Sequence, residues 1–197
     1  MNQYVEHFLK LNCAGDVLNS VSPMKRPEQH ITEAMAILKR LRPIVLAEPN
    51  KFKIVEVTSG NGLASVVALH LFPIVSATIF STKAPNRLIE RVKNLTYYNR
   101  RFKYDTDKDL VDKNTIIIMS GCILSQDAEI VDAYLENESS GQFIAIPENG
   151  HFVEEDHLIN KCMGKYAATC MHIRNILGGK MTQDRYILGP RNIVIVA

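Results

Sequence analysis

Glu56, Gly60 and Gly62 have the spacing with the most chemistry in it. They lie in Ile54-Val55-Glu56-Val57-Thr58-Ser59-Gly60-Asn61-Gly62-Leu63, where an apolar run carries an acid, a Gly-x-Gly turn follows, and a second apolar run opens at Leu63. Glycines at alternate positions permit a tight turn and let a ligand approach backbone N–H groups at a helix N-terminus. The pattern predicts a nucleotide cradle built from Glu56, Thr58, Gly60, Asn61 and Gly62. Other polar groups close apolar runs in the same way: Ser81 and Thr82 after residues 74–80, Ser120 and Gly121 after Met119, and Pro147-Glu148-Asn149-Gly150-His151 after residues 142–146. Glu148 and His151 are candidate general bases, since both residue types accept protons near neutral pH.

Such residues need a sheet to hold them at one edge. Residues 52–57, 74–80, 115–119 and 142–146 read as apolar strands, and 102–104 as a short edge strand. Helical spacing is present over 2–19, 27–46, 62–71, 85–97, 126–137 and 154–177. Leu88, Val92 and Leu95 would form the core face of the 85–97 helix. Pro43 is expected to bend or end its helix, Ser125 to cap the one that follows it, and Gly178-Gly179 to stop the last. Residues 185–188 and 192–196 read as a final hairpin around Gly189-Pro190. Alternating strands and helices predict an α/β doubly wound, mostly parallel sheet with a C-terminal antiparallel hairpin and extra N-terminal helices. One domain over 1–197 is expected, with residues 1–46 as a helical cap and 52–197 as the core.

The chain has 197 residues, 46% apolar and 22% charged, with a net charge of +2. These values suit an ordinary globular domain. No apolar run reaches the roughly 20 residues of a membrane span. The first residues lack the basic-then-apolar order of a secretion signal, so a cytoplasmic protein is expected. Cys13, Cys122, Cys162 and Cys170 form no Cys-x-x-Cys pair and are expected to be reduced thiols. His151, Glu154, Glu155, Asp156 and His157 are ligand types, but the two histidines do not share a helix face, so no metal is expected. Charge is unevenly placed. Residues 83–103 hold seven cations (Lys83, Arg87, Arg91, Lys93, Arg100, Arg101, Lys103) and one acid, Glu90; residues 114–160 hold nine acids and no Lys or Arg. Interleaved with Tyr97, Tyr98, Phe102 and Tyr104, the cations of the 83–104 segment could meet RNA or an acidic protein partner.

The layout of residues 27–197 resembles the class I S-adenosylmethionine-dependent methyltransferase superfamily. The resemblance is carried by Glu56-Val57-Thr58-Ser59-Gly60-Asn61-Gly62, against a family pattern acid-x-Gly-x-Gly-x-Gly, with Thr58 at the first glycine. The Ser59-Gly60-Asn61-Gly62-Leu63 run and the closing Gly189-Pro190-Arg191-Asn192 segment are similar to a branch with Cys-x-Gly-Lys-Gly loops, some of whose members modify RNA. The resemblance implies a Rossmann-like seven-stranded sheet, S-adenosylmethionine as cofactor, and methyl transfer. It also implies that Ser81 or Thr82 meets the ribose, Asp107 or Asp105 the adenine amine, and the Met119-Ser120-Gly121 backbone the adenine and methionine. The family's usual ribose acid is missing: no acid lies between Glu56 and Glu90. No Asn/Asp-Pro-Pro-aromatic acceptor motif follows strand four.

Two other readings use the same residues. Gly60-x-Gly62-x-x-Ser65 with Ser81, Thr82 and Lys83 is similar to an NADP fingerprint, but Glu56 sits where such proteins seldom place an acid. The missing ribose acid and acceptor motif also fit a methyltransferase fold without catalysis, serving as a binding or assembly subunit.

Overall fold

The computed structural model describes residues 1–121, 124–137, 141–148 and 164–197. Its centre is made by the two strands whose side chains are apolar without alternation. β1 (Lys53–Thr58) and β4 (Thr115–Ser120) lie side by side and parallel, with Thr58 opposite Ser120. Both are covered on both faces, which is what an unalternated apolar run requires. β2 (Ala77–Phe80) and β3 (Leu95–Tyr98) extend the sheet on one side, and β5 (Gln142–Ile146) on the other, all parallel. β6 (Lys180–Gln183) and β7 (Ile193–Val196) add an antiparallel pair, giving a seven-stranded sheet of order β3-β2-β1-β4-β5-β7-β6. The order reverses between β1 and β4, so the crevice for a ligand opens at their carboxyl ends.

Helices α1 (Gln3–Leu9), α2 (Ala14–Val21), α3 (Pro27–Ala47) and α4 (Leu63–Leu71) contribute to one core, where Ile37, Leu41 and Val66 pack with Ile54, Ile79 and Ile118. On the other face lie α5 (Tyr104–Asp107), α6 (Leu124–Glu136) and α7 (Lys165–Leu177), where Ile130 and Ile173 meet Val57, Phe80, Met119 and Phe143. Among the described residues no helix is long and apolar enough to cross a membrane. Cys13 and Cys170 are free thiols, and burial pushes the Cys170 thiol up to about 11.

Several elements differ from the sequence reading. The helix expected over 85–97 is a short 3-10 turn, Arg87–Arg91, followed by β3. Asn86 caps the turn through Leu88 N, Val92 at ψ 118° ends it, and Asn94 at φ 62° comes just before β3. Leu95-Thr96-Tyr97-Tyr98 is rich in strand formers and pairs with β2, which outweighs the three- and four-residue spacing of Leu88, Val92 and Leu95. The expected edge strand at 102–104 is a loop entering α5, with Phe102 edge-on to Phe80 at 5.3 Å. The first strand of the terminal hairpin is 180–183, not 185–188. Asp184 ends it by turning inward to Tyr4 and Arg40.

Residues 2–19 form two helices instead of one. α3 runs through Pro43, because this residue and Lys39, whose carbonyl loses a donor, are both exposed. The 154–177 helix is described from Lys165 onward and ends at Gly178, φ 72°. The cap at Ser125, the ligand-type cluster at 151–157, Cys122 and Cys162 lie outside the residues or side chains described.

Candidate functional site

Glu56 points from β1 toward α4 and is 1% exposed. Its Oε2 accepts from Ser65 N at 2.9 Å, and its Oε1 lies 3.2 Å from Ser120 Oγ. One carboxyl thus ties the first turn of α4 to the end of β4, directly under the glycine turn. Burial raises its pKa, while the hydrogen bonds from Ser65 and Ser120 pull the other way. Glu56 is a positioning residue, buried beneath the cradle.

Thr58 explains its own departure from the glycine pattern. Its Oγ1 accepts from Gly60 N at 2.9 Å and lies 2.9 Å from Ser120 Oγ. The hydroxyl closes the turn from the side chain, as Ser and Thr do in turns. Gly62 has φ 71°, and a β-carbon there would stand 2.3 Å from Ile79 Cδ1. Gly121 has φ 63°, and a β-carbon there would come within 2.7 Å of Ser59 Oγ and 2.9 Å of Arg191 Nη1. Gly60 differs: a β-carbon would meet only Thr58 Oγ1, at 3.4 Å. The space beside Gly60 is open for a ligand. Asn61 Nδ2 donates to Val21 O and, at 3.4 Å, to Pro23 O, and so ties the turn to the N-terminal cap.

Two residues that the resemblance assigns to the nucleoside are internal clasps. The buried Ser81 hydroxyl donates to Gly60 O at 2.8 Å and accepts from Lys83 N at 3.1 Å. Asp107, 4% exposed, receives both Arg100 nitrogens at 2.5 and 2.7 Å and Lys103 N at 2.9 Å. The Arg100 pairing holds the Asp107 carboxyl below the usual range. Arg100 also stacks over Tyr98, 4.8 Å from the ring centre. Met119 is fully buried and faces α6 and α7, so only its backbone can border the crevice.

At the carboxyl ends of β1, β2 and β4 lies a cleft of about 80 Å³ bordered by Thr58, Thr82, Arg101, Gly121, Asp127 and Glu148. Glu148 also borders a second cavity of about 310 Å³ with Lys25, Arg26, His30 and Arg191. Thr82, Gly121 and Glu148 therefore share the cleft with Thr58 and Ser59, while Ser120 borders a separate cavity of about 30 Å³ with Gly60, Asn61 and Gly62, and His151 lies outside the described residues. The sequence reading did not single out Asp127 or Arg191 as site residues. Arg191 Nη2 sits 2.9 Å from Glu33 of α3, and Nη1 3.5 Å from Glu148. Glu33 and Arg191 are too far apart in the chain for spacing to link them; the Gly189-Pro190 turn beside Arg191 was the available signal. Asp127 is one of the nine acids of the 114–160 stretch, and its φ of −126° interrupts α6.

No family model matches the chain, and none of the curated proteins does. Solved structures do match. A Thermoplasma acidophilum protein shares 14% identity at a TM-score of 0.55, covering 99% of this chain and 93% of that one. A ribosomal protein L11 methylase from Lactobacillus delbrueckii subsp. bulgaricus shares 12% at 0.52, covering 90% and 82%. The methyltransferase domain of a bacterial Hen1 shares 10% at 0.53, covering 85% and 98%. At such identities the likeness is one of fold. The chain has the Rossmann-like fold of the class I S-adenosylmethionine-dependent methyltransferases.

Proposed function

We propose that the protein binds S-adenosylmethionine at the carboxyl ends of β1, β2 and β4 and transfers its methyl group to an acceptor. The observation that carries this is the Glu56 clamp. A buried carboxyl joins Ser65 of α4 to Ser120 of β4, beneath a glycine turn, at the point where the strand order reverses.

The residues present fit the group. Gly60 leaves room that a β-carbon would fill, and the cleft bordered by Thr58 and Ser59, just before it in the chain, carries Thr82 and Asp127 as polar walls. Thr82 and Asp127 would hold the nucleoside hydroxyls, in place of the acid missing after β2. The backbone of Gly60 and Gly121 would hold the methionine end. When bound, the cofactor supplies an electrophilic methyl on a sulfonium. The chain contributes orientation and water exclusion, which can account for much of the acceleration in a simple displacement. Glu148 borders both the cleft and the larger cavity, so its carboxylate is placed to take a proton from an incoming acceptor. α1 to α3 serve as the cap. RNA is the favoured acceptor, on the cations of the 83–104 segment.

A second reading, a non-catalytic subunit on the same fold, is favoured by the engagement of Ser81 and Asp107 within the protein. Incubation with methyl-labelled S-adenosylmethionine and cellular RNA separates the two. Label in RNA, reduced at least about tenfold by Glu148→Gln, is expected. Tight binding of S-adenosylhomocysteine with no label in RNA, protein or small molecules would favour the subunit.

A further inference from the structure

The short segment between α2 and α3 is fixed against the glycine turn from two sides. Asn61 Nδ2 reaches the Val21 and Pro23 carbonyls, and Asn86 Nδ2 donates to Asn19 O at 3.2 Å and Ser22 O at 2.6 Å. The segment ends at Arg26, which holds φ 53° and ψ 60°. That left-handed conformation is disfavoured for a residue with a β-carbon, and such outliers cluster where function needs them. Arg26 O accepts from Gln29 N at 3.1 Å and His30 N at 3.4 Å, so the first turn of α3 fixes this geometry.

This segment forms one wall of the cavity of about 310 Å³, with Lys25, Arg26, Gln29 and His30 on the α3 side and Arg191 and Glu148 opposite. The charges in it are not equivalent. Arg191 is already offset by Glu33 and Glu148. Lys25 and Arg26 are exposed, and neither pairs with a carboxylate among the described residues. Two cations with no carboxylate partner among the described residues therefore stand at a cavity large enough for one nucleotide-sized group. The cavity shares Glu148 with the cofactor cleft. An arginine fork beside a lysine point charge suits the oxygens of a phosphate.

We propose that Lys25 and Arg26 hold a phosphate of the methyl acceptor, with the body of that nucleotide in the cavity and its reacting group turned toward Glu148. The role of acceptor rests on the methyl-transfer reading; the phosphate site does not. The phosphate could belong to an RNA or to a free phosphorylated metabolite, and the chemistry of capture is the same.

The test is equilibrium binding of three probes to the full chain: a short 5′-phosphorylated oligoribonucleotide, uridine 5′-monophosphate, and uridine. Lys25→Gln and Arg26→Gly are measured alongside the wild type. Binding of the phosphorylated probes and not of uridine is expected, weakened at least about tenfold by each substitution. Arg26→Gly should keep or raise the thermal midpoint, because glycine accepts the left-handed backbone. Tighter binding of the oligoribonucleotide identifies RNA as the source, and equal binding identifies a free nucleotide-like compound. Failure of both phosphorylated probes to bind would overturn the site, and so would binding that ignores both substitutions. S-adenosylhomocysteine, titrated into the same preparations, separates the two claims. Its binding without phosphate binding leaves methyl transfer and removes the site; the reverse keeps the site and removes the acceptor.

Discussion

Glu56 and Thr58 show how single residues set the cradle. A carboxyl this buried is harder to ionise than in the unfolded chain, and the direction of its shift fixes a pH dependence. Below about pH 4 both states hold the proton and no difference arises. As pH rises, the unfolded chain ionises first, so the folded state loses stability relative to a neutral residue at this place. Glu56→Gln should therefore gain on the wild type in urea unfolding as pH is raised toward 7. A wild type that gains on Glu56→Gln over that range would contradict the account. Glu56→Ala, which strips Ser65 N of its acceptor and opens a cavity, should cost roughly 2–3 kcal/mol near pH 4, and less as the pH is raised toward 7 for the same reason. At this scale the sequence was informative about the turn and much less so about the groups around it. Glu56, Gly60 and Gly62 sit within seven residues, so spacing alone joined them. Ser81 and Asp107 have the right types near the right strand ends, yet their hydrogen bonds point inward to Gly60 and Arg100. Only the closed chain shows which way a polar side chain faces.

A long-range tie outside the site joins the elements that position it. Tyr4 of α1 donates to Asp184 Oδ2 at 2.7 Å, and Arg40 of α3 reaches the same oxygen at 2.6 Å. Burial pushes the Asp184 carboxyl up, but Tyr4 and Arg40 more than offset it, and its pKa is held below the usual range. The Tyr4 phenol is pushed up to about 12 by its burial and by that carboxylate. Tyr4→Phe should therefore lower the unfolding free energy by about 1.5–3 kcal/mol, the scale of a hydrogen bond to a charged group. It should also speed amide exchange in α1, measured by hydrogen–deuterium exchange; unchanged exchange there would contradict the tie. The same tie explains a missed boundary. Residues 185–188 hold enough strand formers for a strand, but Asp184 must turn inward, and β6 ends before it. The 85–98 region was misread for a related reason: its apolar spacing suits a helix, and only pairing with β2 selects the strand. The parallel core was legible because runs such as Thr115-Ile116-Ile117-Ile118-Met119 have few other places to go.

Across the whole molecule, strand order does the remaining work. It places the glycine turn, the Glu148 carboxylate and the Lys25–Arg26 mouth along one edge of the sheet. The central claim is that the space beside Gly60 belongs to S-adenosylmethionine, and Gly60 allows it to be tested without breaking the fold. Gly62→Ala would collide with Ile79, whereas a β-carbon at Gly60 meets only Thr58 Oγ1, at 3.4 Å. The most direct measurement is calorimetric titration of S-adenosylmethionine, S-adenosylhomocysteine and NADPH into the wild type and Gly60→Val. The account predicts binding of the first two to the wild type, weakened at least about tenfold in a Gly60→Val protein that unfolds at a similar temperature. Silence toward both at millimolar ligand, or binding of NADPH alone, would contradict it.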